Sequence, residues 1–355
     1  MTMTIMPDLM TMLDGSPVTS PDQWPERRAE LLDVLGRELY GVMPPAPAAV
    51  RGDVDAVDPT CCAGHARLEK LRLSFDTPSG PFTFPAQFLY PATGGPHPLV
   101  IHLSFATEAT GWSCPAEEII DRGYALAHIR YTDVTSDDAD MTSGLAGRYP
   151  REGGTAWGKL AMWAWAASRA ADYFLTRPEI DGANLAVIGH SRLGKAALVC
   201  GAWDERFRFV IANDSGCGGA ALDQRARPDA ENYARMHVSF PYWGCDNWRN
   251  HLDPAQPRPF DQHMLLAAVA PRHVIAGSAA ADLWADPLAE QQGCMAASPA
   301  WALHGLPGYV GPEEPARSGE AYHDGRIGYH LRDGVHYLSR RDWLSYLAFM
   351  DRHRA

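Results

Sequence analysis

Apolar and polar positions follow two different periods along this chain, and the order in which the periods succeed one another predicts most of its elements. In residues 21–40, Trp24, Leu31, Leu32, Val34, Leu35 and Leu39 recur at helical spacing among Arg and Glu. An amphipathic helix is expected there, stopped by Gly41 and by Pro44-Pro45. Residues 68–75 and 82–90 switch to a period of two, the pattern of paired antiparallel strands, with Asp76-Thr77-Pro78-Ser79-Gly80 as their turn. Beyond them come short, mainly apolar runs at 98–103, 124–129, 185–188, 209–212 and 273–277. Such runs suit strands covered on both faces. A helix rich in Ala and Trp is expected over residues 157–175, with Trp157, Trp163 and Trp165 packed against the sheet. An alternating stretch at 327–331 and a closing helix at 341–353 complete the series. The predicted class is α/β, with a mostly parallel central sheet flanked by helices in a three-layer sandwich.

Length and charge narrow the picture. With 355 residues, 46% of them hydrophobic, the chain can bury one large core. It divides into an N-terminal extension with one helix over residues 1–50 and a single α/β domain over 51–355. The connection 215–270, which carries Trp243, Trp248 and His251, is long enough to form a cap or substrate wall over the carboxyl edge of the sheet. A formal net charge of −12 opposes a nucleic-acid footprint, which needs a basic face. No run of eighteen apolar residues is present, so no membrane span is expected. The segment before Arg27 has neither Lys nor Arg and no sustained apolar run, so it does not read as a secretory signal, and the expected compartment is cytoplasmic. The 7 cysteines are odd in number and scattered, which favours reduced thiols. Oligomeric state is not legible.

Candidate chemistry centres on residues 185–198, where an apolar run, a tight Gly189-His190-Ser191 turn and a helix-forming stretch lie end to end. This is the layout of a nucleophile elbow, in which a serine on a sharp strand-to-helix turn projects its hydroxyl into a cleft beside helix N–H groups. The local pattern is G-x-S-x-x-G, because Leu193 stands where the common elbow has glycine. Serine at such a turn can equally cap the helix, so the order of downstream residues has to decide. α/β-Hydrolases run nucleophile, acid, histidine, and this chain offers Ser191, then Asp214 and Asp282, then His336. Of the 14 histidines, His336 follows the last alternating stretch and precedes the closing helix, the place of the hydrolase base; His330 and His323 compete, as strand or loop residues. Asp282 follows the 273–277 strand, the usual acid position, and Asp214 follows the strand before it. Either can face His336. Arg192, beside the elbow, can stabilise an oxyanion, and Lys195 lies one helical turn beyond the serine on roughly the same face.

The motifs GHSRLGK (189–195), NDSGCGG (213–219), ADLWADP (281–287) and GYHLRDGVH (328–336), in this order, resemble the glucuronoyl esterases, carbohydrate esterase family 15, in their bacterial branch. The similarity covers about residues 24–353. The resemblance implies an α/β-hydrolase fold and a cofactor-free serine esterase that cleaves esters of glucuronic or 4-O-methylglucuronic acid through an acyl-enzyme. Its partner is then a small-molecule or oligosaccharide uronate ester. By the same resemblance Ser191 is the nucleophile, His336 the base, Asp214 the acid position of fungal members and Asp282 that of some bacterial ones. Arg192 lines the oxyanion hole, Lys195 contacts sugar hydroxyls and Trp284 stands beside the sugar. His190 occupies the place of a fungal cysteine whose partner resembles Cys294, so that disulfide is not expected.

Three other readings compete. An acetyl (xylan) esterase or other carbohydrate deacetylase would use the same triad. A carbohydrate-binding protein that has lost turnover would be expected to lack one of the four triad candidates. A metal hydrolase is suggested only by Asp133, Asp137, Asp138 and Asp140, which show neither H-E-x-x-H nor calcium-loop spacing and read as a solvated acidic loop.

Overall fold

Most parallel strands of this protein run apolar instead of alternating, because they are buried on both faces. The computed structural model describes residues 6–111 and 114–354. Ten strands form one sheet: β1 (Arg51–Asp58), β2 (Ala66–Thr77), β3 (Gly80–Pro91), β4 (His97–Ser104), β5 (Ala125–Arg130), β6 (Ile180–His190), β7 (Phe209–Asn213), β8 (His273–Ala279), β9 (Ala321–Tyr322) and β10 (Ile327–Arg332). Their order is β1-β2-β3-β5-β4-β6-β7-β8-β10-β9. β1 to β3 form an antiparallel meander joined to β5, the six strands from β5 to β10 run parallel, and β9 closes the edge antiparallel.

The two faces of β6 show how the layers are built. Leu185 and Val187 join the core cluster that holds the helices Lys159–Phe174 and Arg192–Trp203, whereas Ala186 and Ile188 join the cluster that holds Trp343, Tyr346 and Phe349 of the closing helix Arg340–His353. Period-two geometry sends successive side chains into different cores, and the result is the expected three-layer α/β-hydrolase fold. Trp157, Trp163 and Trp165 are buried in the first cluster. The predicted N-terminal helix is present as Trp24–Leu35, followed by a wider turn over Gly36–Tyr40. Gly41 (φ +88°) ends it where an added Cβ would lie 2.2 Å from the Trp157 backbone. Trp24, Leu31, Leu35, Leu39 and Tyr40 all enter the main core.

β1 lies outside the sequence expectations. Its residues are nearly all exposed at the sheet edge, so no apolar face marks it. The connection 215–270 is not bare loop: it contains the helices Tyr233–Ser239 and Gln262–Ala267, and it buries Trp243 and Trp248. No helix among the described residues is long and apolar enough to cross a membrane.

Candidate active site

β6 ends at His190, and Ser191 adopts φ +58° and ψ −128° before the helix Arg192–Trp203 begins. A positive φ at a residue with a side chain is strained, and a strand feeding directly into a helix is the arrangement that imposes it. Close approach explains the altered glycine spacing of the elbow. An added Cβ at Gly189 would lie 2.0 Å from Leu193 O, and one at Gly194 would lie 3.1 Å from both Asn213 O and Ser215 Cβ. Leu193 instead points its side chain into the core, so the second glycine is needed at 194 and not at 193. The first-turn N–H groups of the helix lack intrahelical acceptors and face the space above Ser191.

The loop after β10 brings His336 to this turn. Its ring lies against that of His190, the residue preceding Ser191, with centroids 4.4 Å apart. Asp282, on the loop after β8, accepts from His336 Nδ1 at 2.5 Å and is 5% exposed. That bond fixes the tautomer with Nε2 as the free, basic nitrogen. Asp214 is placed differently. It follows β7 with φ +43°, is fully buried, and its Oδ2 meets Arg332 Nη2 at 3.3 Å and the Tyr337 N–H at 3.4 Å. Its Oδ1 is buried without a hydrogen bond. Burial and the neighbouring carboxylates of Glu290 and Asp282 hold the Asp214 carboxyl well above the usual range, against the pull of Arg332. Of the two candidate acids, the structure joins Asp282 to His336 and leaves Asp214 behind them. His330 is occupied elsewhere, by Asp342 at 2.9 Å, and His323 by Ser345.

The flanks of the elbow carry the remaining candidates. The Arg192 guanidinium pairs with Asp137 and lies over Trp243 (4.8 Å), Phe240 (5.1 Å) and Phe105 (5.7 Å). Asp137 also accepts from Trp243 Nε1 and the Tyr131 hydroxyl. Within the acidic stretch Asp137 orients Arg192 and Asp138 pairs with buried Lys159, while Asp138 and Asp140 remain exposed as expected of a solvated loop. Lys195, which the family resemblance implies contacts sugar hydroxyls, is held by the protein itself. It is 2% exposed, and its three ammonium protons are taken by Ser215 O, Cys217 O and Glu231 Oε2, each at 2.6 Å. What Lys195 offers the cleft is a fixed Glu231, whose own N–H donates to Trp284 O at 2.8 Å. The Trp284 side chain is 45% exposed, with Arg235 5.8 Å from its ring centroid. A cavity of about 270 Å³ lined by His102, Phe105, His190, Tyr337 and Leu338 opens beside the Ser191 turn.

Glu231, Glu290 and Arg332 are the site residues that sequence reasoning missed, because a buried charge far along the chain looks like any surface charge until its partner is known. The one local signal was the GYHLRDGVH motif, which contains Arg332. His190, Asp214 and His336 could each offer a ligand atom to a metal, all within 4.8 Å of one another. Two of those donors are already engaged, His190 Nδ1 by Asn213 Oδ1 at 2.7 Å and His336 Nδ1 by Asp282. His190 thus serves as a wall of the site, and burial together with the His336 ring pushes its pKa down to about 4.

Comparison with known proteins places this geometry. A family profile described as glucuronyl esterase, fungi, matches residues 76–305. A carbohydrate esterase of an unknown prokaryotic organism is 34% identical over 394 aligned positions, covering 98% of this chain and 89% of that protein. The 4-O-methyl-glucuronoyl methylesterase 1 of Wolfiporia cocos is 30% identical over 86% of this chain and 74% of its own. The solved glucuronoyl esterase of Solibacter usitatus superposes with a TM-score of 0.90 at 31% identity, covering 98% of this chain and 97% of that one.

Proposed function

The chain belongs to the glucuronoyl esterases, carbohydrate esterase family 15, and from that premise we propose that Ser191, His336 and Asp282 carry out its ester hydrolysis. The protein is a carboxylic ester hydrolase that cleaves esters of glucuronic or 4-O-methylglucuronic acid. The observation that carries the assignment of residues is the 2.5 Å bond from His336 Nδ1–H to Asp282, on an imidazole packed against the residue before Ser191.

In this reading Ser191 Oγ attacks the ester carbonyl while its proton passes to His336 Nε2. Asp282 steadies the imidazolium, and the elbow N–H groups with the Arg192 guanidinium stabilise the oxyanion. Collapse of the tetrahedral adduct breaks the bond to the alcohol oxygen, which leaves with the proton from His336. Water then attacks the acyl-enzyme and gives a proton to His336, and as the second adduct collapses His336 passes that proton to Ser191 Oγ, releasing the uronic acid and restoring the serine hydroxyl. The wall of Glu231 and Trp284, held by Lys195, receives the sugar of the acyl half. The apolar cavity on the other flank suits the alcohol half.

Assay of methyl glucuronate beside an acetylated xylo-oligosaccharide tests the substrate. Turnover of the uronate ester is expected; ready deacetylation with no attack on methyl glucuronate would replace this reading with that of a carbohydrate deacetylase.

A further inference from the structure

The loop that carries the base has no regular structure, and residues 333–336 are exposed. One guanidinium grips it. Arg332, the last residue of β10 and 6% exposed, donates from Nη1 to the carbonyls of Asp333 (3.0 Å) and Val335 (3.2 Å) and from Nη2 to the carbonyl of Tyr337. Its Nε donates to Asp342 Oδ2 at 2.7 Å, and Nη2 also reaches Asp214. The donors of the fork are divided between three carbonyls of one five-residue segment and two buried carboxylates, with His336 inside the segment so held. The acid loop is tied to the same frame, since the Ala280 N–H donates to Arg332 O at 2.8 Å and the Ala281 N–H to Gly334 O at 2.9 Å.

Asp214 belongs to this frame. Its carboxylate lies 3.9 Å from His190 Nδ1 and within 4.8 Å of a His336 ring nitrogen, but its hydrogen bonds go to Arg332 and to the Tyr337 N–H. His336 has one Nδ1–H to give, and Asp282 takes it. We propose that Arg332 positions the general base, and that Asp214 serves catalysis through Arg332 and not as a second acid on His336. Displacing the base weakens its reach to Ser191, whereas the sugar wall keeps its supports: Glu231 is held by Lys195, and the acid loop that carries Trp284 is tied to the backbone carbonyl of Arg332, which a change of side chain leaves in place. The effect therefore belongs in kcat and not in KM. A lysine at 332 would keep the charge but lose the fork, because a single ammonium cannot reach carbonyls spread along the loop.

The proposal rests on the reading of Ser191 and His336 as nucleophile and base, so the test includes a readout that needs no uronate. The rate of Ser191 labelling by a fluorophosphonate, with kcat and KM for methyl glucuronate, is measured for the parent, Arg332→Lys, Asp214→Asn and their double variant. Arg332→Lys is expected to lower kcat by about 10- to 100-fold and the labelling rate in parallel, with KM within about threefold. Asp214→Asn, which keeps an acceptor oxygen, is expected to lose less than about tenfold, and the double variant to be no worse than Arg332→Lys by more than about twofold. Should Arg332→Lys fail to fold, Gly334→Ala displaces the fork instead: at φ +106° its Cβ would lie 3.1 Å from Nη1, and the same loss confined to kcat is expected. An Arg332→Lys or Gly334→Ala enzyme with unchanged kcat and labelling overturns the role of Arg332. Losses of Asp214→Asn and Arg332→Lys that multiply overturn the route through Arg332. A parent enzyme that is not labelled at Ser191 overturns the serine mechanism itself.

Discussion

Four hydrogen bonds converge on the carboxylate of Glu290. Oε1 accepts from the Ser215 N–H and hydroxyl and from the Gly216 N–H, and Oε2 accepts from the Ser278 hydroxyl at 2.6 Å. The turn it holds supplies Ser215 O to Lys195 and fixes the backbone beside Asp214. Burial nevertheless pushes the Glu290 carboxyl up to about 7, because the loss of water outweighs these bonds. A folded pKa above the ordinary 4.5 means that the native state favours the protonated form. Its contribution to stability is present in full below about 4.5 and is lost as pH rises through about 7. Glu290→Gln abolishes the titration while keeping an acceptor for the turn. Thermal unfolding across this range is expected to move in favour of Glu290→Gln as pH rises, by roughly 3 kcal/mol in total. A difference between the two proteins that stays constant with pH contradicts the assignment.

At the scale of the element, the elbow joins a strand and a helix through a turn with no spare volume. Gly189→Ala would drive a Cβ into Leu193 backbone, which cannot move without unwinding the helix start, whereas Gly194→Ala meets its neighbours at 3.1 Å. Alanine also favours the helix at 194 by up to about 1 kcal/mol. Gly189→Ala is expected to unfold at clearly lower temperature than Gly194→Ala and to abolish esterase activity; equal melting temperatures would contradict the steric account. This element was legible because its information is local: an apolar run, a turn and a helix former in sequence. The six parallel strands were legible for the same reason. β1 was not, since its Asp-rich pattern at an exposed edge buries no face. Nor were the internal partners of Lys195, whose contact with sugar hydroxyls is implied by the family resemblance and not by its position one turn past Ser191. The fold instead brings Glu231, Ser215 O and Cys217 O to its ammonium, and no spacing along the chain encodes those encounters. Sequence favours Asp282 over Asp214 only by its usual fold position, because both follow adjacent parallel strands. Only the path of the Arg332 loop separates them.

Across the whole molecule, the N-terminal segment and the sheet share one core. Trp24 is 2% exposed in the main cluster and donates from Nε1 to Ala270 O, while Arg28 donates to the carbonyls of Ala202 and Ala268. Trp24→Ala is therefore expected to cost about 3–5 kcal/mol in global unfolding, measured by denaturant titration, with a single cooperative transition. A loss below about 1 kcal/mol would show that the N-terminal helix is an appendage to a catalytic unit that folds without it. The core in turn serves a cleft at the carboxyl ends of β6, β7, β8 and β10, where the turn after β6 and the loops after β8 and β10 bring Ser191, Asp282 and His336 together. Hydrolysis of methyl 4-O-methylglucuronate by the parent enzyme and by Ser191→Ala tests that convergence most directly. The parent is expected to turn over, and Ser191→Ala to lose about 10⁴-fold or more in kcat with its melting temperature unchanged. Activity within about tenfold of the parent in the folded variant would contradict the mechanism.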